Sequence, residues 1–169
     1  MSNPEMALLG NDGPNDAVVA FADCARRYCN WARERLADAS DEVDTALALL
    51  SELNFRALAL PHAEWQDNPE DSERSEWEAV LRRFAALPFQ LYELPTSPAA
   101  LEWAGEVGDL QDDLADIWRY LHSGLNLFDR GQPGAAAYFW RSFYWGHWGR
   151  HANAALYALH AWVADRCYE

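Results

Sequence analysis

An aromatic-rich run near the C-terminus constrains the fold more than any other part of the chain. From Ala137 to Trp148 the sequence reads AYFWRSFYWGHW, and large rings fall on almost every side of a helical wheel. Because a helix that faces water keeps one polar side, this segment must be enclosed by other elements. Each fully buried ring removes about 150–250 Å² from water, which contributes about 4–6 kcal/mol at ~25 cal/mol per Å². We expect its helix to be the central pillar of the fold.

Helical periodicity extends over most of the remaining chain. The further helices are predicted to begin after Asn15 or Asp16, at Ser40, near Ser72 and at Asp109, and the last three to end near Pro61, Leu87 and Asp129. Residues 89–108 show no alternating pattern long enough for a strand, and we expect them to be irregular. The short turn RGQPG, residues 130–134, returns the last helix antiparallel to the helix before it.

These patterns predict an all-α fold: about five helices in a mostly antiparallel bundle around a long, Trp-rich C-terminal helix. Residues 1–14, which are rich in Asn, Gly and Pro, are predicted to be a flexible lead-in. Residues 15–169 then form a single helical domain, since a chain of this length buries a full core without disulfide or metal support.

The charge of the chain argues against two classes of partner. Its formal net charge is −14, and all 13 of its basic residues are arginines. An acidic chain repels nucleic-acid phosphates and anionic lipids. No apolar run approaches the ~20 residues that a membrane-spanning helix needs. We therefore expect no nucleic-acid and no membrane partner.

The three cysteines and the N-terminal sequence indicate a soluble cytoplasmic protein. Cys24 and Cys29 lie five positions apart on a predicted helix, about 8–9 Å between Cα atoms, which is too far for an undistorted disulfide. Free thiols of this kind are typical of a reducing compartment. The first residues lack the basic and apolar regions of a signal peptide.

Two strings resemble a known family. DDLADI, residues 112–117, and HWGRH, residues 147–151, resemble the bacterial family described as domain of unknown function 5063. The resemblance also extends to Trp118, Arg119, Gly124, Leu125, Trp140, Arg141, Ala152, Ala155, Leu156, Leu159 and His160. It implies an all-helical, soluble bacterial protein and supplies no activity.

Asp112, Asp113 and Asp116 form the first candidate site. Carboxylates on adjacent helical turns can hold Mg²⁺ through oxygen ligands, which would support phosphate chemistry. The same residues also occupy the first two turns of a predicted helix, where negative charge contributes about 0.3–1 kcal/mol per residue to helix stability. The predicted helix carries an apolar stripe that includes Leu110, Leu114, Leu121 and Leu125, here called the leucine stripe. On a helical wheel Asp112 and Asp116 lie opposite the leucine stripe, and Asp113 borders it.

His147 and His151 form the second candidate site. A spacing of four places both imidazoles on one helical face, a geometry suited to Zn²⁺. The sequence argues against a zinc protease, because Trp148 stands where its motif has a glutamate. The metal-free interpretation, which we favour, has both histidines donating hydrogen bonds within an aromatic core. The alternative metal ligands are Asp112, Asp113, Asp116, His147 and His151.

The short turn before the last helix suggests that the two candidate sites meet. With Phe128 opposite Ala136, Ile117 lies opposite the region of His147, so the aspartates come within one or two helical turns of the histidines. Buried polar groups need partners, because an unpaired one costs about 1–3 kcal/mol. We therefore predict one polar network, which consists of Asp113, Asp116, Arg119, Tyr120, His147, Arg150 and His151.

The sequence favours one class of function and leaves two others open. It contains no Gly-rich phosphate loop, no GxSxG and no CxxC. Our primary hypothesis is a protein-interaction or structural module, with another protein as its partner and no cofactor. The alternative is a metal-dependent hydrolase or phosphate-processing enzyme that uses the two candidate sites. A third hypothesis, a small-molecule binder, requires a cavity beside Trp140 and Tyr144.

Overall fold

The computed structural model describes residues 14–34, 38–64, 69, 72–95 and 105–167. Its elements in chain order are α1 (Pro14–Trp31), α2 (Ala39–Ala59), α3 (Arg74–Phe84), β1 (Leu91–Pro95), β2 (Gly105–Asp109), α4 (Leu110–Asp129), α5 (Pro133–Phe143), a π-helical turn (Tyr144–Trp148) and α6 (Gly149–Cys167). Because α5, the π turn and α6 follow one another without a break, they form one long helix, the C-terminal rod. The predicted helical fold with a long C-terminal helix is confirmed. The predicted lead-in lies outside the described residues, except for Pro14.

The helices begin at residues suited to the task. Pro14 opens α1, where its missing N–H removes no intrahelical bond. The Asp38 carboxylate accepts from the backbone N–H of Ser40 at 2.9 Å, so the cap of α2 lies two residues before the predicted one. The Asp109 carboxylate caps α4 by accepting from the backbone N–H groups of Gln111 and Asp112.

Helix α4 is enclosed on nearly all sides. It packs against α1, α3 and both halves of the C-terminal rod. Its leucine stripe is buried as predicted, and Trp118 is also fully buried. Asp113 and Asp116 are only 7% and 8% exposed, so the side of α4 that we expected to face water at Asp116 is covered.

The C-terminal rod is buried through a row of residues at a spacing of four. Trp140, Tyr144, Trp148 and Ala152 are all buried. In a regular α-helix each step of four residues turns about 40° past a full circle, so such a row would drift away from the core. The wider π turn at Tyr144–Trp148 reduces this drift. Enclosure is incomplete, because Trp145 on the π turn is 68% exposed, contrary to the expectation of a fully buried segment.

A two-stranded antiparallel sheet lies where the sequence predicted irregular structure. Strands β1 and β2 pair with Tyr92 opposite Gly108 and Glu93 opposite Val107. On its outer face the apolar residues Leu91 and Val107 are 66% and 71% exposed. The strands therefore lack the usual alternation of buried apolar and exposed polar residues. The hairpin therefore lacks the pattern by which half-buried strands are recognised in a sequence.

A buried ion pair attaches α3 to α1 and α2. The Arg83 guanidinium donates to Glu42 at 2.7 Å, and the Trp31 indole donates to the same carboxylate oxygen at 2.8 Å. Arg83 also lies over the Trp31 ring, 4.7 Å from its centroid. This attachment matters for the site below, because α3 carries Trp77. Among the described residues, no helix combines the length and apolar character that crossing a bilayer would require.

The crossing of α4 and α5 gives a test of the packing. Gly124 lies directly under the Trp140 indole, which donates to the Leu121 carbonyl at 3.3 Å, and a Cβ at Gly124 would overlap that indole. We expect Gly124→Ala to lower the free energy of unfolding by about 1–3 kcal/mol, because overpacking shifts the ring. The matched control is Gly146→Ala, where a Cβ meets nothing within 4 Å; it should raise stability by up to about 1 kcal/mol. Urea titration measures both, and equal effects would contradict this packing.

Thiol labelling tests the burial of α1. The three cysteines are free, as predicted, and only Cys167 is exposed. Burial raises the pKa of the Cys24 thiol to about 12, and burial also raises the pKa of Cys29. Because the thiolate is the reactive form, we expect a maleimide at neutral pH to label one thiol in the native chain and all three in denaturant. Fast native labelling of Cys24 or Cys29 would show that α1 is not packed as described.

Candidate metal centre

Two aspartates of α4 face two histidines of the C-terminal rod. The Nδ1 atom of His151 lies 2.6 Å from Oδ1 of Asp113, and its Nε2 atom lies 3.9 Å from Oδ2 of Asp116. The His147 ring lies beside the His151 ring, with 4.7 Å between centroids. The π turn contains His147 and ends three residues before His151, so it sets the angle at which both rings meet α4.

Asp116, His147 and His151 form a group that could hold a metal ion, here called the ligand triad. One ligand atom from each lies within 4.8 Å of those from the other two. Metal bonds to nitrogen and carboxylate oxygen are about 2.0–2.2 Å long, so two ligand atoms on one ion lie at most about 4.4 Å apart. The 3.9 Å between His151 and Asp116 fits this limit, and separations of up to 4.8 Å within the triad would have to shorten by about 0.4 Å on an ion.

The protonation of the two histidines differs. A carboxylate only accepts hydrogen bonds, so the Nδ1 atom of His151 carries a proton and donates a hydrogen bond to Asp113. The Nε2 atom of His151 then faces Asp116. The Asp113 hydrogen bond raises the pKa of His151 above its ordinary value. Burial, followed by the neighbouring His151, lowers the pKa of His147. His147 therefore favours the neutral form, which is the form that binds metals.

One ring nitrogen of His147 lacks a hydrogen-bond partner in the part of the chain that the structure describes. Its Nδ1 atom is buried and has no hydrogen-bond partner among the described residues. Such an atom costs about 1–3 kcal/mol when it stays unpaired. His147 otherwise contacts aromatic rings, with the Tyr120 centroid 5.0 Å away.

A second layer of hydrogen bonds holds the ligand groups. Asp116 Oδ1 lies 3.2 Å from the Trp77 indole nitrogen and 3.3 Å from the Arg119 guanidinium, so its Oδ2 atom is left on the side of His151. Oδ2 of Asp113 accepts from the Tyr92 hydroxyl. Burial and the Asp113 carboxylate raise the pKa of Tyr92, which keeps its hydroxyl protonated and donating. Carboxylate–histidine arrangements of this kind accompany most metal-binding histidines.

The structure brings most of the predicted network together. Asp113, Asp116, His147 and His151 meet, Arg119 pairs with Asp116, and Tyr120 stacks near His147. Arg150 does not join them: its guanidinium pairs with Glu106 on β2 at 2.7 Å, and both groups are exposed. Asp112 is not one of the ligand triad, although burial and then Asp116 raise its pKa.

Two residues of the second layer were missed from the sequence. Trp77 lies on α3, and nothing in the sequence indicates that its indole reaches Asp116. Tyr92 lies on a strand that the sequence did not reveal. In both cases the contact joins segments far apart in the chain, and no local pattern encodes it.

The Asp113–His151 pair predicts a pH effect in the metal-free protein. Removing the carboxylate in Asp113→Asn should lower the pKa of His151, measured from its imidazole NMR signals in the presence of a chelator. A raised pKa contributes stability that is fully present below the unfolded value of about 6.5 and is lost as pH rises through the folded value. Asp113→Asn should therefore reduce the free energy of unfolding more at acidic than at alkaline pH.

Asp112→Asn is the matched control, because the Asp112 carboxylate also raises the pKa of His151, but less than the Asp113 and Asp116 carboxylates do. It should lower that pKa by clearly less than Asp113→Asn. Equal shifts in the two variants would show that general negative charge, and not the hydrogen bond, controls His151.

Comparison with known proteins gives a fold and a family. Protein BF1032 from Bacteroides fragilis, known from a crystal structure, is similar to this chain with a TM-score of 0.70. The likeness covers 85% of this chain and 90% of that one at 22% sequence identity, which shows a shared fold. No match was found among curated proteins. The family model described as domain of unknown function 5063 matches residues 13–165, nearly the whole chain. The chain therefore belongs to the domain of unknown function 5063 family.

Proposed function

We propose that this protein is a metal-dependent enzyme whose ion is held by Asp116, His147 and His151. The observation that carries the proposal is the convergence of three ligand atoms within 4.8 Å of one another. At the same place, Trp77 and Arg119 already hold Asp116, and Tyr92 holds Asp113. Two imidazoles and one carboxylate suit Zn²⁺ and related transition metals more than Mg²⁺, which prefers oxygen ligands alone. This group shares only Asp116 with the magnesium site that the sequence left open at Asp112, Asp113 and Asp116.

The reaction class that we propose is hydrolysis. Three protein ligands leave at least one coordination position of the ion for water or substrate. The side chain of His151 is 22% exposed, so the triad borders the solvent-accessible surface. A zinc ion held there would lower the pKa of a bound water to about 7 and would make hydroxide available as the nucleophile at neutral pH. Asp113 would keep the His151 ring in place during this chemistry.

The protein-interaction hypothesis stays a prediction. Exposed large apolar side chains occur on several of the described elements, namely Val19, Phe55, Leu58, Leu91, Val107, Trp145 and Tyr157. Single exposed apolar residues are normal on monomeric proteins, so they single out no docking face. Trp140 and Tyr144, where a small-molecule cavity was considered, are buried among other rings.

Metal titration tests the proposed function. Chelator-treated protein should bind one Zn²⁺ or Co²⁺ per chain, measured by calorimetry and by the visible absorption of Co²⁺. We expect Asp116→Ala and His151→Ala each to weaken binding by at least about 100-fold, because each removes a ligand. The matched control is His160→Ala on the same helix, whose side chain is exposed and should leave the affinity unchanged.

The same preparation tests the reaction class. The zinc-loaded protein should hydrolyse activated carboxylic or phosphate esters faster than the chelated protein and faster than the Asp116→Ala variant. Absence of stoichiometric metal, or equal losses in the ligand variants and in His160→Ala, would refute the metal centre. Tight metal binding without any metal-dependent hydrolysis would refute the reaction class alone.

A further inference from the structure

The geometry points to Tyr92 as a positioning residue of the metal centre. We infer that its hydroxyl fixes Asp113, that Asp113 fixes His151, and that the hairpin β1–β2 exists in this protein to place the hydroxyl there. This inference rests on the proposed metal site and adds a residue and an element to it.

Asp113 uses each of its oxygens for one purpose. Oδ1 accepts from His151 at 2.6 Å, and Oδ2 accepts from the Tyr92 hydroxyl. A carboxylate with a single partner can rotate about its Cβ–Cγ bond, whereas one held at both oxygens keeps its plane. The plane of Asp113 sets the direction of the His151 ring and therefore the position of its Nε2 atom.

The hairpin is shaped around the Tyr92 ring. Gly108 lies opposite Tyr92 in the pairing register, and a Cβ at that position would overlap the ring and its hydroxyl. The backbone N–H of Leu110, the first residue of α4, donates to the Gln90 carbonyl at 2.8 Å. Arg150, the neighbour of His151 in the chain, pairs with Glu106 of β2 at 2.7 Å. The hairpin is thus attached to both helices that carry the ligands.

The burial of the hairpin residues distinguishes a role in positioning the ligands from a role in the hydrophobic core. The outer face of the hairpin exposes Leu91 and Val107, so it adds little apolar burial to the bundle. On the inner face the half-buried Tyr92 sends its polar end to a buried carboxylate. The Tyr92 ring packs against the core, whereas its hydroxyl reaches Asp113, so the hydroxyl is the part of the hairpin that acts on the geometry of the ligands.

Tyr92→Phe tests the inference because it keeps the ring and removes only the hydroxyl. In Zn²⁺ competition against a chelator, we expect its affinity to fall by about 10–100-fold, the usual effect of losing an outer-layer partner. The Co²⁺ visible spectrum should also shift, because His151 gains freedom. Gly108→Ala, which displaces the ring, should act in the same direction. The matched control is Tyr157→Phe, at an exposed tyrosine of α6 that should change neither measurement.

The outcomes separate this inference from the proposed function. A wild-type chain that binds no ion refutes the proposed metal site. A wild-type chain that binds while Tyr92→Phe keeps its affinity and Co²⁺ spectrum refutes the inference alone. A lower melting temperature of Tyr92→Phe with an unchanged spectrum and affinity also refutes it, because the hydroxyl then serves stability only. If Tyr92→Phe fails to fold, Gly108→Ala decides by the same two measurements.

Discussion

The packing of the C-terminal rod against α4 sets the position of every other group in the site. Trp140 lies over Gly124 and donates to the carbonyl of Leu121, so the two helices can approach only in one alignment. Because that contact is buried and apolar, its burial outweighs the surface ion pairs, which contribute about 0–1 kcal/mol each. The alignment brings Asp116 of α4 beside His151 of the rod, 3.9 Å apart. The aromatic core therefore acts on the candidate site indirectly, by fixing the register of the two helices that carry Asp116 and His151.

The π turn affects both the packing of the core and the position of His147. A regular helix from Trp140 onward would carry Trp148 and Ala152 away from the buried side, yet both are fully buried. The turn at Tyr144–Trp148 corrects this phase, and His147 lies within it. Trp148 reinforces the distortion by donating its indole N–H to the Trp140 carbonyl at 2.9 Å. Such turns recur at functional sites because they reorient side chains without ending the helix.

The sequence predicts the parts of this arrangement that depend on local pattern. Helical periodicity gave the helices, and the short turn RGQPG gave the antiparallel return that brings the aspartates to the histidines. The sequence could not reveal that Tyr92 lies on a strand beside the site. Leu91 and Val107 expose apolar side chains, so the hairpin has no alternation of buried apolar and exposed polar residues. A helical wheel placed Asp116 on the wet side of α4, whereas neighbours cover that helix nearly all round. Arg150 shares a segment with His151 but turns to Glu106 on β2, a choice that only tertiary structure decides.

Buried charge argues that the site is there for more than the fold. At the other buried ion pair, the Glu42 carboxylate meets the Arg83 guanidinium and a Trp31 indole, so opposite charges match. In the site, Asp113 and Asp116 face one guanidinium and an imidazole, while burial and nearby carboxylates raise the pKa of Asp112. Well-packed apolar side chains in place of such buried charges are often neutral or stabilising, by about 1–4 kcal/mol. A divalent cation between Asp116, His147 and His151 would add positive charge beside these carboxylates.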